Sequence, residues 1–286
     1  MPTSILIIGA TGLIGNIMFR YFSSNSNYKV YGSIRDNNDI GLFSSQIGTS
    51  LISGVSASDY QKWHNIFNEI KPNIAINCLG ITKHLSGGIE PLISIPINAY
   101  FPHFLNSICI RYNTRLIHIS SDCVFSGARG DYIEEDVTDA NDIYGRTKAI
   151  GEVVDSTAIT LRTSTIGHEL KNSFGLLEWF LGQKNYCKGY KNVFFSGVPT
   201  IELARIIDEY VICNPELKGL YHVGAAKISK FDLLNKIAQQ YGKKIEIIPE
   251  YSFRLDRSIN SERFYSATGY RPASWDKLIR NMYINK

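Results

Sequence analysis

Tyr144 and Lys148 stand four residues apart in the run Tyr144-Gly145-Arg146-Thr147-Lys148, and Ser121 closes the strand-like run His118-Ile119-Ser120-Ser121 upstream of them. At the start of a helix, residues four apart project from one face. A phenol and an ammonium so arranged can do proton chemistry. The lysine charge lowers the phenol pKa, the tyrosine donates its proton to a carbonyl oxygen, and a serine hydroxyl steadies that oxygen while a nicotinamide hydride arrives. With 17 tyrosines in the chain, one such spacing arises readily by chance, so its weight depends on what accompanies it.

A glycine loop accompanies it. Gly9-Ala10-Thr11-Gly12-Leu13-Ile14-Gly15 follows the apolar run 5–8 and opens the helix-length segment 16–22. Free N–H groups and the positive dipole end of that helix suit a pyrophosphate, and missing side chains at Gly9 and Gly12 allow close approach. Gly9, Thr11, Gly12, Leu13, Ile14 and Gly15 are therefore the expected cofactor cradle. At the end of the next strand, where NAD-binding proteins carry an acid for the ribose hydroxyls, Arg35 precedes the first acidic residue, Asp36. A guanidinium there can stack on adenine and pair with a 2′-phosphate, which predicts NADP(H) over NAD(H).

The elements that must position these groups are legible from periodicity. Runs 5–8, 30–34, 51–55, 74–78, 116–120 and 159–162 read as strands, and helix-length amphipathic stretches separate them. One helix is expected over 59–70, capped by Ser58, with Trp63, Ile66, Phe67 and Ile70 on its apolar side. Alternating strands and helices predict an α/β fold with a Rossmann-type doubly wound parallel sheet. After Arg162 the pattern loosens, with helices expected over 200–211, 229–241 and 275–282 and strands over 219–223 and 244–248. The expected division is 1–162, the NADP(H)-binding Rossmann domain with Ser121, Tyr144 and Lys148, and 163–286, mainly a smaller C-terminal substrate-binding lobe.

Composition narrows the function classes. The 286 residues are 44% hydrophobic, enough for a large core, and 30 Lys and Arg against 26 Asp and Glu give a net charge of +4 without a block of like charges. No nucleic-acid partner is expected. No apolar run approaches the ~18 residues of a membrane span, and the N-terminus has no signal-peptide pattern. The cysteines, Cys78, Cys109, Cys123, Cys187 and Cys213, are odd in number and without CxxC spacing, as suits reduced thiols in a cytoplasm. No metal site is expected, because the histidines, His64, His84, His103 and His118 among them, lack ligand spacing; His84 is the one that merits testing. Cys123 has no histidine partner for nucleophilic work and reads as a pocket wall. Arg254 and Arg257 could clamp a diphosphate, or belong to a solvated polar stretch.

Taken together, the chain resembles the dTDP-4-dehydrorhamnose reductase family of extended short-chain dehydrogenases/reductases. The resemblance runs through GATGLIG at 9–15, SSDCVFSG at 120–127, YGRTKAIGE at 144–152, Leu161-Arg162-Thr163-Ser164 and Gly197-Val198-Pro199-Thr200. It implies NADPH- or NADH-dependent reduction of the C4 keto group of a nucleotide-linked 4-keto-6-deoxyhexose, with Ser121, Tyr144 and Lys148 as catalytic residues. It further implies Cys78, Leu79, Gly80 and Asn98 beside the cofactor and Asp122 beside the substrate, and leaves a homodimer open. Two positions depart from the family pattern. Cys123 stands where relatives carry Tyr, and Thr165 where they carry Trp, so the sugar pocket is expected to be wider. A UDP-linked 2-acetamido-2,6-dideoxy-L-sugar would use that space better than a dTDP-linked rhamnose precursor. The alternatives are an NAD-dependent sugar-nucleotide epimerase or dehydratase, and a catalytically silent dinucleotide-binding regulatory subunit.

Overall fold

The β-branched runs become strands whose side chains are largely buried, as strands covered on both faces must be. In the computed structural model, which describes residues 2–44, 48, 50–82, 90–155, 157–171 and 173–286, these are β1 (Thr3–Ile8), β2 (Tyr28–Ser33), β3 (Leu51–Ile52), β4 (Ile74–Asn77), β5 (Arg115–Ser121) and β6 (Ala158–Thr163). They form a seven-stranded sheet in the order Gly219–His222, β6, β5, β4, β1, β2, β3, and the pairings from β3 across to β5 are parallel. The strand order reverses between β1 and β4. Open α/β sheets bind ligands outside the carboxyl ends of the strands at such a reversal, and there the chain carries Gly9 and Cys78.

Helices α1 (Leu13–Ser23), α2 (Tyr60–Ile70), α3 (Phe101–Arg111) and α4 (Ile143–Ile150) fill the crossovers. Trp63, Phe67, Phe101 and Leu105 pack with Leu6, Ile8 and Leu116 in one buried cluster. A short helix, Pro91–Ser94, and a π-helical turn, Ile95–Tyr100, lead directly into α3.

Three local expectations are corrected. β3 ends at Ile52 instead of residue 55, because Gly54 turns the chain with φ +69°. Helix α2 starts at Tyr60, so Asp59 and not Ser58 occupies the cap position. The Asp59 carboxylate is spent on Ser56 N at 2.7 Å, and the Ser58 hydroxyl pairs with that of Ser56 at 2.9 Å. Gly219–His222, read from the sequence as part of the tail, is instead the edge strand of the large sheet.

Two compact units divide the chain. The first comprises Met1–Ser120, Asn141–Leu161 and Glu216–Leu220; the second comprises Ser121–Ala140, Arg162–Pro215 and Tyr221–Lys286. Within the second, Tyr186–Tyr190 pairs with Glu246–Glu250 and Val193–Phe195 lies between Ile228–Ser229 and Leu255–Asp256. Helix Lys230–Tyr241 is capped by Ser229, whose hydroxyl accepts from Asp232 N at 3.0 Å, and closed by Gly242 at φ +63°. No helix among the described residues is long and apolar enough to cross a membrane.

Candidate active site

In the first unit the glycine loop has three different reasons for its three glycines. Gly9 adopts φ +82°, and a Cβ there would meet the Leu79 backbone at 3.3 Å. Gly15 could carry no side chain at all, since its Cβ would fall 2.1 Å from Gly9 O. Gly12 is different: it is exposed, and only Gly9 O, at 3.4 Å, lies near its missing Cβ. The space over Gly12 is thus left open by the protein itself. No side chain caps α1, so the first-turn N–H groups around Leu13 and Ile14 lack intrahelical partners and suit an anion. Thr11 is half-buried beside them.

Gly9 N donates to Ser33 Oγ at 3.1 Å, tying the loop to the end of β2. Arg35 follows β2, exposed, and has no hydrogen-bond or ion-pair partner among the described residues. The carboxylate of Asp36 accepts from Asn38 N at 2.9 Å and caps its own turn. A guanidinium without a protein partner and a neighbouring acid turned to local use fit a dinucleotide carrying a 2′-phosphate.

After β4, Cys78, Leu79 and Gly80 run alongside the glycine loop. Leu79 N donates to Asn77 Oδ1 at 3.1 Å, and Asn77 Nδ2 meets His118 Nδ1 at 3.0 Å. Burial pushes the Cys78 thiol up to about 12, so it stays protonated. His118 is held neutral, first by burial and then by the Lys148 and His103 charges. His84 lies outside the described residues.

Asn98 sits in the π-helical turn. It accepts from Ile81 N at 2.9 Å and donates to Ile81 O at 3.0 Å and to Thr147 Oγ1 at 3.3 Å. Its amide therefore joins the loop after β4 to the helix that bears Tyr144. A Cβ on Gly151 would lie 1.9 Å from Asn98 O, which brings the end of α4 onto the same turn.

Helix α4 begins at a cap in which Asp142 accepts from Gly145 N at 2.7 Å. Tyr144 is half-buried in the first turn, and Lys148, 4% exposed, donates from Nζ to Ile119 O at 2.8 Å. Burial is the main influence on that ammonium and lowers it to about 8, while the Glu152 carboxylate opposes the shift. Ser120 Oγ donates to Glu152 Oε1 at 2.7 Å. Sequence reading quoted Glu152 within its motif and gave it no role.

β5 leaves the first unit at Ser120, and its last residue, Ser121, opens the second. There the Ser121 hydroxyl caps a single turn, accepting from Cys123 N at 3.1 Å and approaching Asp122 Oδ1 at 3.3 Å. Burial raises the Asp122 carboxyl above its ordinary value, against the charges of Arg257 and Lys230. Arg257 is fixed on this turn by Nε to Phe125 O at 2.8 Å and NH1 to Cys123 Sγ at 3.6 Å. The side of Cys123 is therefore bordered by a guanidinium. Gly127, at φ +85°, makes this seating feasible, because a Cβ would fall 2.9 Å from Arg257 Cγ.

Arg254 does not share that seat. It is exposed, just before the pair Leu255–Asp256, whereas Leu255 and Arg257 both face Gly127. Thr165 lies half-buried in Thr165–Ile166, paired with Val198–Pro199. Beneath Phe125 the sequence reading missed a buried polar knot. Arg162 stands 5.1 Å over the Phe125 ring and meets His222 Nε2 at 3.2 Å, and His222 N donates to Glu134 Oε1 at 2.7 Å. Among the described residues no group of three His, Cys, Asp or Glu could hold a metal ion.

Comparisons with known proteins agree with this arrangement of elements. The family model described as RmlD substrate binding domain matches residues 3–283. A dTDP-4-dehydrorhamnose reductase of Aggregatibacter actinomycetemcomitans is 23% identical over 303 residues, 97% of each chain. Methionine adenosyltransferase 2 subunit beta of Rattus norvegicus is 23% identical over 251 residues, 83% of this chain and 72% of that one. Among solved structures, a dTDP-4-dehydrorhamnose reductase from Bacillus anthracis str. Ames in complex with NADP superimposes with a TM-score of 0.82 at 20% identity, over 100% of both chains.

Proposed function

From the premise that this chain belongs to the RmlD substrate binding domain family, we propose that it is an NADPH-dependent oxidoreductase that reduces the C4 keto group of a nucleotide-linked 4-keto-6-deoxyhexose. The observation that carries the reading is Lys148, buried and anchored to Ile119 O one helical turn from Tyr144, in the same unit as the open glycine loop.

Gly9, Thr11, Gly12, Leu13, Ile14 and Gly15 hold the dinucleotide phosphates, Arg35 the 2′-phosphate, and Cys78, Leu79 and Gly80 border the same cradle. When bound, NADPH supplies the hydride. Tyr144 gives its phenolic proton to the keto oxygen, and the Lys148 ammonium stabilises the phenolate left behind. The Ser121 hydroxyl donates to that oxygen as charge develops on it. Asn98 acts through Thr147 and Ile81, holding α4 and the loop after β4 together. Asp122, Cys123, Thr165, Arg254 and Arg257 are assigned to the substrate. The small side chains Cys123 and Thr165 favour a UDP-linked 2-acetamido-2,6-dideoxy-L-sugar over dTDP-4-dehydrorhamnose. Five free thiols suit a reducing cytoplasm.

A second reading, a dinucleotide-binding regulatory subunit, is favoured by the likeness to the methionine adenosyltransferase subunit. One measurement separates the two. NADPH absorbance at 340 nm is followed in the presence of a 4-keto-6-deoxy sugar nucleotide. A stoichiometric fall in both NADPH and substrate supports the reductase, and NADPH that binds without being consumed supports the subunit.

A further inference from the structure

Two adjacent residues of β5 hold Lys148, in the last turn of α4, and Glu152, just past the end of that helix. The carbonyl of Ile119 accepts from Lys148 Nζ at 2.8 Å, and the hydroxyl of Ser120 donates to Glu152 Oε1 at 2.7 Å. Lys148 lies in the last turn of α4 and Glu152 just beyond its capping Gly151, so both leave the same helix end toward β5. Gly151 allows the chain to pass here, since a side chain would fall 1.9 Å from Asn98 O. We propose that Glu152, fixed by Ser120, is a positioning residue that keeps the buried Lys148 ammonium charged and directed at its carbonyl anchor.

Lys148 is 4% exposed, and burial disfavours its charged form. The groups facing it come from three elements besides its own. Cys78, after β4, stays a neutral thiol, and His118, on β5, stays a neutral imidazole further disfavoured from charging by Lys148 itself. His103, on α3, acts on His118, and its Nε2 donates to Ile150 O at 2.7 Å. Tyr144 shares the helix. Among the described residues facing Lys148, Glu152 is the carboxylate, and its influence opposes that of burial. Without it the ammonium would lose its proton nearer neutrality, and Tyr144 would lose the charge that stabilises its phenolate.

This inference rests on the proton-transfer reading of Tyr144 and Lys148, yet it can be tested without turnover. The protein is labelled with 13Cε-lysine, and the Lys148 resonance is identified by its loss in Lys148→Met. Its titration is then followed by NMR in the unliganded full chain. Glu152→Gln keeps size and hydrogen-bonding reach and deletes the charge, so the Lys148 midpoint should fall by about one pH unit or more. Ser120→Ala, which only releases the carboxylate, should move it less and in the same direction. Glu152→Asp should recover part of the shift. In turnover assays the alkaline limb of kcat should move to lower pH by a matching amount, with KM for NADPH little changed. An unchanged midpoint in both Glu152→Gln and Ser120→Ala overturns the inference even if the wild type reduces a 4-keto sugar. A midpoint that shifts in Glu152→Gln, together with a wild type that consumes no NADPH, overturns the reductase reading and leaves the coupling intact.

Discussion

A methyl group on Gly15 would lie 2.1 Å from the carbonyl oxygen of Gly9, so α1 reaches β1 only because residue 15 has no side chain. Gly12, three residues earlier, meets that same oxygen at an ordinary 3.4 Å. The two glycines therefore serve different ends, and their alanine variants should separate. Gly15→Ala forces backbone atoms apart and should cost about 3 kcal/mol of stability, visible as a lowered Tm. Gly12→Ala should melt like the wild type and bind NADPH at least tenfold more weakly, because its methyl enters the space where a pyrophosphate would approach the helix. Equal NADPH affinity for Gly12→Ala and wild type would remove the loop from phosphate binding.

Tyr144→Phe keeps the half-buried ring and deletes only the hydroxyl. NADPH binding, measured by fluorescence titration, should survive, and turnover should drop by ~10²-fold or more. Near-normal turnover would show that the proton comes from elsewhere.

Much of this is legible in the sequence, and what is not has a physical pattern. β1, β2, β4, β5 and β6 emerge from local apolar runs because a doubly covered strand needs no partner-specific sequence. Gly219–His222 escaped assignment to the sheet because strand neighbours are chosen over long sequence separations that a local pattern does not encode. Ser58 looked like a helix cap, but capping depends on which residue's backbone first turns, and Asp59 took that place. Within the site, the glycine loop and the Tyr144 and Lys148 pair are short-range patterns. Glu152 is tied to a serine thirty-two residues earlier, and Asn98 to Ile81 and Thr147, so their partners are visible only once strands and helices are assembled.

Arg35 is exposed and has no partner among the described residues, so replacing it should leave folding alone. Arg35→Ala should weaken NADPH by roughly 1.5–3 kcal/mol, the worth of a hydrogen bond to a charged group, and NADH by much less. Steady-state KM values for both dinucleotides decide it. Equal weakening would take Arg35 off the 2′-phosphate.

Stability should fall in acid for a nameable reason. Burial, and next the Arg162 charge, push His222 down to about 3 from an ordinary 6.5. Between those values the unfolded chain takes up a proton that the folded chain refuses. The contribution is therefore fully present above pH 6.5 and lost as the pH falls, by at most about 1.4 kcal/mol per pH unit for this site. His118, also held neutral by burial, acts in the same direction. Urea unfolding of wild type and His222→Gln at pH 7 and pH 5 should give a smaller acid loss in the variant. Parallel losses would place the acid sensitivity in other groups.

Cys123 and Thr165 stand where Tyr and Trp are expected in the family, and the structure adds that Arg257 NH1 lies 3.6 Å from Cys123 Sγ. The room beside Cys123 is thus partly bordered by a cation whose Nε is fixed on Phe125 O. A guanidinium with a remaining donor can receive an acceptor oxygen, and an acetamido carbonyl offers one where a hydroxyl of the smaller sugar would not reach as far. A UDP-linked 2-acetamido 4-keto sugar should then be reduced with higher kcat/KM than a dTDP-linked sugar with a hydroxyl at C2, since specificity is set by differential transition-state binding. Refilling the wall with Cys123→Tyr and Thr165→Trp together should move the ratio toward the smaller sugar by about tenfold, because a crowded pocket excludes the larger group. Arg257→Gln tests the other half: it keeps the small side chains and removes the charge, and should lower kcat/KM for the acetamido sugar more than for the hydroxyl sugar. If the unaltered enzyme already prefers the dTDP-linked hydroxyl sugar, or if neither change moves the ratio, then the small side chains and the guanidinium are not what selects the sugar.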